Sequence, residues 1–389
     1  MTKTKSKLKI VMVGQKTMPA IDSSRGGVEV VVEEIATRMA EYGAEVTCFN
    51  RRGCDNGGLS EYKGVKLINV LTIRKKGLAA ASSSFFASIK AAFGRFDVIH
   101  FHAEGPCAMM WIPKLFGKKC VCTIHGLDHK RSEKWSKFAR WYILHGEKTA
   151  VKYADAIIVL TKAAQNYFKE TYGRETVLIP NGVNNQSSNI GDDIISEKFS
   201  LRKNEYILFL GRLVPEKGIQ YLVEAYLKLK TDKKLVIAGA ASDTDDFVQR
   251  LHEKTDGNSK IVYTGFINGK PKEQLYANAY VYVLPSDLEG MPLTLLEAMS
   301  FGNCCVVSSI KECTEVVGDK AVVFKQGDAE DLREKLQELC DDERKVEELK
   351  AESADYICRK YSWDDVVERT IKLYREVIGE NKNNKNAIG

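Results

Sequence analysis

Seven apolar runs, each too short for a helix, recur along this chain with segments of helical period between them. The runs cover residues 8–13, 98–101, 156–160, 207–210, 235–238, 281–284 and 304–307. Continuous rather than alternating hydrophobicity marks strands buried on both faces, as in a parallel sheet wrapped by helices. The intervening helices show their own spacing. Val28, Val31, Val32, Ile35, Ala36 and Met39 form one stripe closed by Gly43, and Ile219, Leu222, Val223, Tyr226 and Leu227 form another. The class is therefore α/β.

At 389 residues the chain is long for one core, so two domains are expected. The two halves begin alike: Lys-Ile-Val-Met-Val-Gly at 9–14 and Tyr-Ile-Leu-Phe-Leu-Gly-Arg at 206–212 each lead through a loop into a helix. A strand at 177–180 ends at Asn181-Gly182, and 183–200 reads as polar and irregular. We place an N-terminal domain at 1–182 and a second at 183–362. A helix at 363–380 carries the stripe Trp363, Val366, Val367, Thr370, Ile371 and Tyr374, and 381–389 reads as a disordered tail.

No apolar run approaches the roughly 20 residues that span a bilayer, and the expected setting is cytoplasmic, with neither signal peptide nor anchor. Ten cysteines lie mostly in apolar stretches without zinc-site spacing, which fits a reduced compartment and predicts no bound metal. Charge is divided unevenly. Residues 1–182 hold 29 Lys and Arg against 16 Asp and Glu, whereas 183–389 hold 29 against 36. A basic first half suits anionic partners, such as phosphates of a lipid carrier or a membrane surface, although a solvated basic face explains it equally. The stretch 79–96 sets Phe85, Phe86, Ile89 and Phe93 beside Lys90 and Arg95. We expect a helix buried against the sheet, with membrane docking the alternative.

The most specific segment is 286–302, Ser-Asp-Leu-Glu-Gly-Met-Pro-Leu-Thr-Leu-Leu-Glu-Ala-Met-Ser-Phe-Gly. It follows a buried strand, turns at Gly290, places Pro292 where a first helical residue belongs, and ends at Gly302. A helix start at the carboxyl edge of a parallel sheet offers backbone amides and a positive dipole to an anion. Glu297 is placed to accept from two ribose hydroxyls, and Glu289 to orient a sugar hydroxyl. The loop 211–218, Gly-Arg-Leu-Val-Pro-Glu-Lys-Gly, also follows a strand, and its Arg212 and Lys217 suit a diphosphate.

The Glu-x7-Glu pair at Glu289 and Glu297, the 211–218 loop, Pro-Asn-Gly-Val at 180–183 and Gly26-Gly27 before the first helix together resemble the GT-B-fold retaining glycosyltransferases of family four, the glycosyl transferases group 1. The resemblance spans about Lys9 to Ile378. It implies two Rossmann-like domains with parallel sheets facing across a cleft, a donor held mostly on the second domain, and an acceptor site on the first. It also implies retention at the anomeric carbon, no required metal, and a final helix that returns to the first domain.

Carried onto this sequence, Arg212 and Lys217 hold the donor phosphates, Glu297 the ribose and Glu289 the transferred sugar. The backbone at Gly26, Gly27, Gly290, Met291, Pro292 and Leu293 meets diphosphate or sugar, and His125, just past a strand, stabilises charge at the anomeric carbon. His102 and Asp128 are candidates on the acceptor side. His100 shares a strand face with His102, while His129, His145 and His252 read as surface or structural residues. No nucleophile is identifiable, Asp128 and Glu104 both lying near in sequence. Asp243-Thr-Asp245 matches a metal-binding pattern but reads instead as a helix start.

The expected activity moves a sugar from a nucleotide-diphosphate sugar, UDP favoured, to an acceptor such as a lipid-linked glycan of a surface or capsular polysaccharide. The nucleotide sugar is substrate, no cofactor is implied, and nucleic acid is not an expected partner. A nicotinamide oxidoreductase lacks its Gly-x-Gly-x-x-Gly here. The remaining alternatives are a sugar-nucleotide epimerase or phosphorylase on the same fold, or a silent partner subunit.

Overall fold

A computed structural model describes residues 7–21, 26–75, 77–127, 129, 137–186, 190–242 and 244–380. Asp128, Asp243 and the tail 381–389 thus lie outside the described residues. The chain divides into two compact units, one of Met1–Asn181 with Trp363–Gly389 and one of Gly182–Ser362.

The first unit is built on eight strands: β1 (Lys9–Val13), β2 (Glu45–Arg51), β3 (Glu61–Tyr62), β4 (Val65–Val70), β5 (Val98–His102), β6 (Lys119–Ile124), β7 (Ala156–Val159) and β8 (Val177–Leu178). Their order is β3-β4-β2-β1-β5-β6-β7-β8, parallel except where β3 pairs antiparallel with β4. The second unit holds β9 (Tyr206–Leu210), β10 (Lys234–Ala238), β11 (Ile261–Gly265), β12 (Val281–Leu284), β13 (Cys305–Ser308) and β14 (Val322–Phe324). They run wholly parallel in the order β11-β10-β9-β12-β13-β14.

The central strands β1, β5, β9 and β12 carry fully buried side chains on both faces, which is why their sequences do not alternate. In the second unit Ile207, Phe209, Leu235, Ile237 and Val283 meet Ile219, Leu222 and Val223 of the helix Ile219–Leu227 in one cluster. Each such side chain contributes about 1.5–3 kcal/mol of transfer free energy, set against the entropy of ordering the chain. In both sheets the first strand lies between its immediate successor and the strand at which the order reverses: β1 between β2 and β5, and β9 between β10 and β12. Loops leaving those strands diverge there, opening a crevice at their carboxyl ends.

The helix Trp363–Val377 packs on the helix Gly27–Glu41 of the first unit. Arg38 Nε lies 3.5 Å from Asp364 Oδ1, Arg369 donates to the Leu178 carbonyl, and the Tyr374 hydroxyl shares a 2.5 Å hydrogen bond with His100 Nδ1.

Two expectations are corrected. The stretch 183–200 is not wholly irregular, because Asp193–Phe199 is helical. Its first-turn amides at Ile194 and Ile195 donate to Gln274 Oε1 at 3.0 and 3.2 Å, a distant cap supporting a segment with one buried apolar residue. Pro292 is the N-cap, and the helix begins at Leu293. The helix Ala79–Phe93 packs against the sheet as expected, burying Ser83, Ser84, Ala87, Ser88, Ala91 and Ala92 and leaving Phe85 and Phe93 exposed. Small residues bring the helix close to the strands, and Ser84 satisfies its hydroxyl on the Ala80 carbonyl at 2.8 Å.

Candidate active site

In the second unit the loops after β9 and β12 meet at the divergence point. The Asp287 amide donates to the Glu216 carbonyl at 2.9 Å. Gly218 has φ +68°, and a Cβ there would stand 1.8 Å from the Pro285 carbonyl oxygen, so only glycine permits this approach. The Lys217 ammonium is thereby delivered to Glu289, donating to Oε1 at 2.5 Å, and Ser286 Oγ donates to the same oxygen at 2.7 Å. Both members of the pair are largely buried, at 13% and 6% side-chain exposure, so the carboxylate is fixed rather than mobile.

One and a half turns into the helix Leu293–Ser300, Glu297 is fixed from another direction. Lys272 Nζ donates to its Oε1 at 2.8 Å and the Tyr276 hydroxyl to its Oε2 at 3.2 Å. No side chain caps the start of this helix, at Pro292. Uncapped amides beside the ammonium of Lys217 form an anion-favouring end to the sheet. Arg212 stands half-buried in the same loop as Lys217.

The first unit places a row of imidazoles at the ends of β5 and β6. His100 and His102 share a face, with ring centroids 4.1 Å apart, and His102 lies 5.3 Å from the His125 ring. His100 is locked between Thr123 Oγ1 at 2.8 Å and Tyr374. His102 Nδ1 and His125 Nε2 share a hydrogen bond of 3.1 Å, and His102 Nε2 lies 3.5 Å from Met12 Sδ. Met12 Sδ can only accept, so the His102 tautomer that uses both contacts carries its proton on Nε2. Its Nδ1 then accepts from Nε2–H of His125, leaving a lone pair on His125 Nδ1. Gly14, with φ +121°, passes close beneath: a Cβ there would stand 2.3 Å from the His102 carbonyl oxygen.

Two family models match nearly end to end: Glycosyltransferase Family 4 over residues 25–187, and Glycosyl transferases group 1 over residues 192–356. The chain belongs to the group 1 glycosyltransferases. An uncharacterised glycosyltransferase of Methanocaldococcus jannaschii is 26% identical over 95% of this chain and 98% of its own length. The O-antigen chain mannosyltransferase B of Escherichia coli is 31% identical over 46% of this chain and 48% of its own. Among solved structures, the sucrose-phosphate synthase of Thermosynechococcus elongatus superposes with TM-score 0.81 at 20% identity, covering 96% of this chain and all of that one. HepE of Anabaena, solved with UDP-glucose, superposes with TM-score 0.79 at 18% identity, over 95% of this chain and all of that one. The fold is GT-B.

Within this glycosyltransferase, the structure brings Lys217 and Glu289 together and sets Gly290, Met291, Pro292, Leu293 and Glu297 on the segment that follows. It places His102 against His125. The Gly26 amide is already engaged, donating to Glu29 Oε2 at 3.0 Å, while Glu29 Oε1 accepts from the Lys16 amide at 3.0 Å. Glu29 therefore ties the loop after β1 to the helix that Gly27 begins. It was missed in the sequence, although Gly-x-x-Glu at 26–29 is half of a capping-box pattern. Lys272 and Tyr276 were missed as well, and their spacing of four on one helix face was the available signal.

His129 is structural, as its sequence suggested, but its partners are unexpected. Its Nδ1 lies 3.6 Å from Glu104 Oε1 and 3.2 Å from Glu147 Oε2, and both glutamates are fully buried. Hydrogen bonds to Glu104 and Glu147 raise its pKa to about 9, so it is an imidazolium near neutrality. Tyr167 and Tyr172 donate to Glu147 Oε1 at 2.9 and 2.5 Å. Among the described residues Glu104, His129 and Glu147 are the grouping whose ligand-type atoms come within 4.8 Å of one another, and they form an ion-paired network. Asp245 begins the helix Asp245–Thr255, where Thr244 Oγ1 donates to the Leu213 carbonyl at 2.6 Å.

The imidazole row predicts acid sensitivity. Burial lowers His100 to a pKa of about 3, His125 to about 4, and His102 in the same direction. Each is neutral when folded but binds a proton when unfolded below about pH 6.5. Folded pKa values under the unfolded one mean that stability falls as pH drops from about 6.5 toward 4, by up to about 1.4 kcal/mol per pH unit per group. We expect the thermal midpoint to drop steeply between pH 7 and pH 5. A midpoint unchanged over that range would show the imidazoles charging without cost.

Proposed function

We propose that this glycosyltransferase transfers a sugar, with retention of anomeric configuration, from a UDP-sugar to a lipid-linked glycan of a surface or capsular polysaccharide. The Lys217–Glu289 pair at the divergence point of the second sheet carries the reading. Lys217 and Arg212 neutralise the donor diphosphate, Glu297 accepts from the ribose hydroxyls, and Glu289 orients the sugar. Oxygen ligands to a metal are not needed where two cationic side chains and uncapped amides already face the phosphates, so transfer proceeds without metal and without a further cofactor.

In the reaction the bond from the anomeric carbon to the diphosphate oxygen breaks as the acceptor oxygen approaches the same face. The departing diphosphate takes the acceptor proton, and Lys217 and Arg212 hold the charge that grows on it. The lone pair of His125 Nδ1 stabilises the positive charge at the anomeric carbon. HepE was solved with UDP-glucose, and the E. coli relative is a mannosyltransferase of O-antigen chains, which supports both the donor base and the polysaccharide setting.

The test is thermal shift and donor hydrolysis over UDP-, GDP-, dTDP- and ADP-sugars, with and without chelator. At about a hundredfold excess over Kd, binding stabilises by about 2.7 kcal/mol, a rise of several degrees. A UDP-sugar should give that rise and slow hydrolysis, both indifferent to chelator. Silence toward every nucleotide would favour the partner-subunit alternative, and loss of the response in chelator would overturn metal independence.

A further inference from the structure

Large apolar side chains are exposed unevenly between the two units. In the second, Leu227, Phe266 and Val323 are exposed, on the helix Ile219–Leu227, the loop after β11 and β14 respectively. In the first, Phe93 (72% exposed), Trp111, Leu115 (73%), Phe116, Phe138 (68%) and Trp141 (59%) belong to three neighbouring helices or their ends. Those helices, Ala79–Phe93, Trp111–Leu115 and Lys137–Tyr153, join β4 to β5, β5 to β6 and β6 to β7. All three crossovers advance across the sheet in one direction, and right-handed connection puts them on one face. The first touches the second, and the second the third. Phe93 and Phe116 rings lie 4.8 Å apart, and Phe138 and Trp141 rings 5.8 Å apart.

The exposed charge on the three helices themselves is of one sign. Lys90, Lys137, Arg140 and Lys148 are exposed, and the one acid among the three helices, Glu147, is fully buried. An apolar protein partner would account for the aromatics but gives no reason for the helices to carry exposed bases and no exposed acid, the acids at their ends being Asp97, before β5, and Asp155, paired with Lys114 and Lys119. Aromatic rings among long basic side chains match the interface of an anionic bilayer, where rings enter at headgroup depth and Lys and Arg meet phosphates.

We propose that this helical face of the first unit docks the enzyme on an anionic lipid bilayer. The docking deepens the lipid-linked acceptor reading, and rests on it for its purpose, while its own support is the surface geometry. It takes up the membrane-docking alternative for the stretch 79–96, whose helix also buries one face against the sheet.

The experiment is cosedimentation of the full chain with phosphatidylcholine vesicles, with and without phosphatidylglycerol, at low and raised salt. The wild type should bind the anionic vesicles at least about tenfold more tightly, and salt should weaken that binding. The variant Phe93→Ser/Phe116→Ser/Phe138→Ser/Trp141→Ser should lose about tenfold or more while keeping the wild-type thermal midpoint. Lys90→Glu/Lys137→Glu should weaken binding to anionic vesicles alone. Unchanged binding in the aromatic variant, or a wild type that ignores both vesicles, overturns the proposal. So does a wild-type dimer that the aromatic variant converts to monomer, because the face would then serve a second copy. Donor hydrolysis measured on the same samples keeps the two readings apart: vesicle binding without any donor response would sink the donor reading and leave the docking face standing.

Discussion

Lys217→Ala is expected to lower sugar transfer by about two to three orders of magnitude, the usual cost of removing one preorganised group that faces developing charge. The ammonium has a second task in the unliganded protein, because it is one of two donors to a Glu289 oxygen that is nearly buried. Its removal leaves that carboxylate with Ser286 Oγ, and an abandoned buried charge costs up to about 3–5 kcal/mol. The thermal midpoint should therefore fall along with the activity. Assays well below the lowered midpoint separate the two effects. A folded Lys217→Ala protein that transfers at the wild-type rate would remove Lys217 from the site. The donor would make Lys217 exchange a share of its carboxylate contact for the diphosphate, so UDP should also stabilise the variant less than the wild type.

The parts of this site that the sequence made legible are those set by local geometry. Strand, turn and helix start occur together in 281–300, and the positions of Glu289 and Glu297 follow from that order alone. The loop 211–218 was legible for the same reason, its Gly218 being the residue that the approach to Pro285 requires.

What escaped was set by long-range pairing. Lys272 reaches Glu297 across 25 positions, and Tyr374 reaches His100 across 274. Neither contact leaves a periodic signal. Glu104 and Glu147 escaped because a charged side chain reads as surface until a partner is visible, and their partner His129 stands between them. The helix Ala79–Phe93 does pack on the sheet, but its aromatic residues do not mark the buried face: close packing against strands selects small side chains, and Ala and Ser take the buried positions.

His125→Ala is expected to reduce transfer by about two to three orders of magnitude with little loss of donor binding, since the imidazole acts on charge present only as the glycosidic bond breaks. The half-buried ring is neutral across the working range, because burial holds its pKa at about 4. A neutral ring stabilises a cationic sugar through its lone pair, whereas an imidazolium would repel it. Transfer should accordingly fail as pH falls toward 4, in the direction of protonating His125. In the proposed reaction His102 is a positioning residue: its Nδ1 accepts from Nε2–H of His125 and so fixes the tautomer that leaves a lone pair on His125 Nδ1. His102→Leu should cost about tenfold in kcat with KM for the donor nearly unchanged, and His102→Asn, which restores an acceptor, should recover part of it. Equal losses in both variants would mean that His102 serves packing alone. A His125→Ala enzyme with wild-type kcat would remove the imidazole from the reaction and leave the departing diphosphate, held by Arg212 and Lys217, as the sole focus of charge stabilisation.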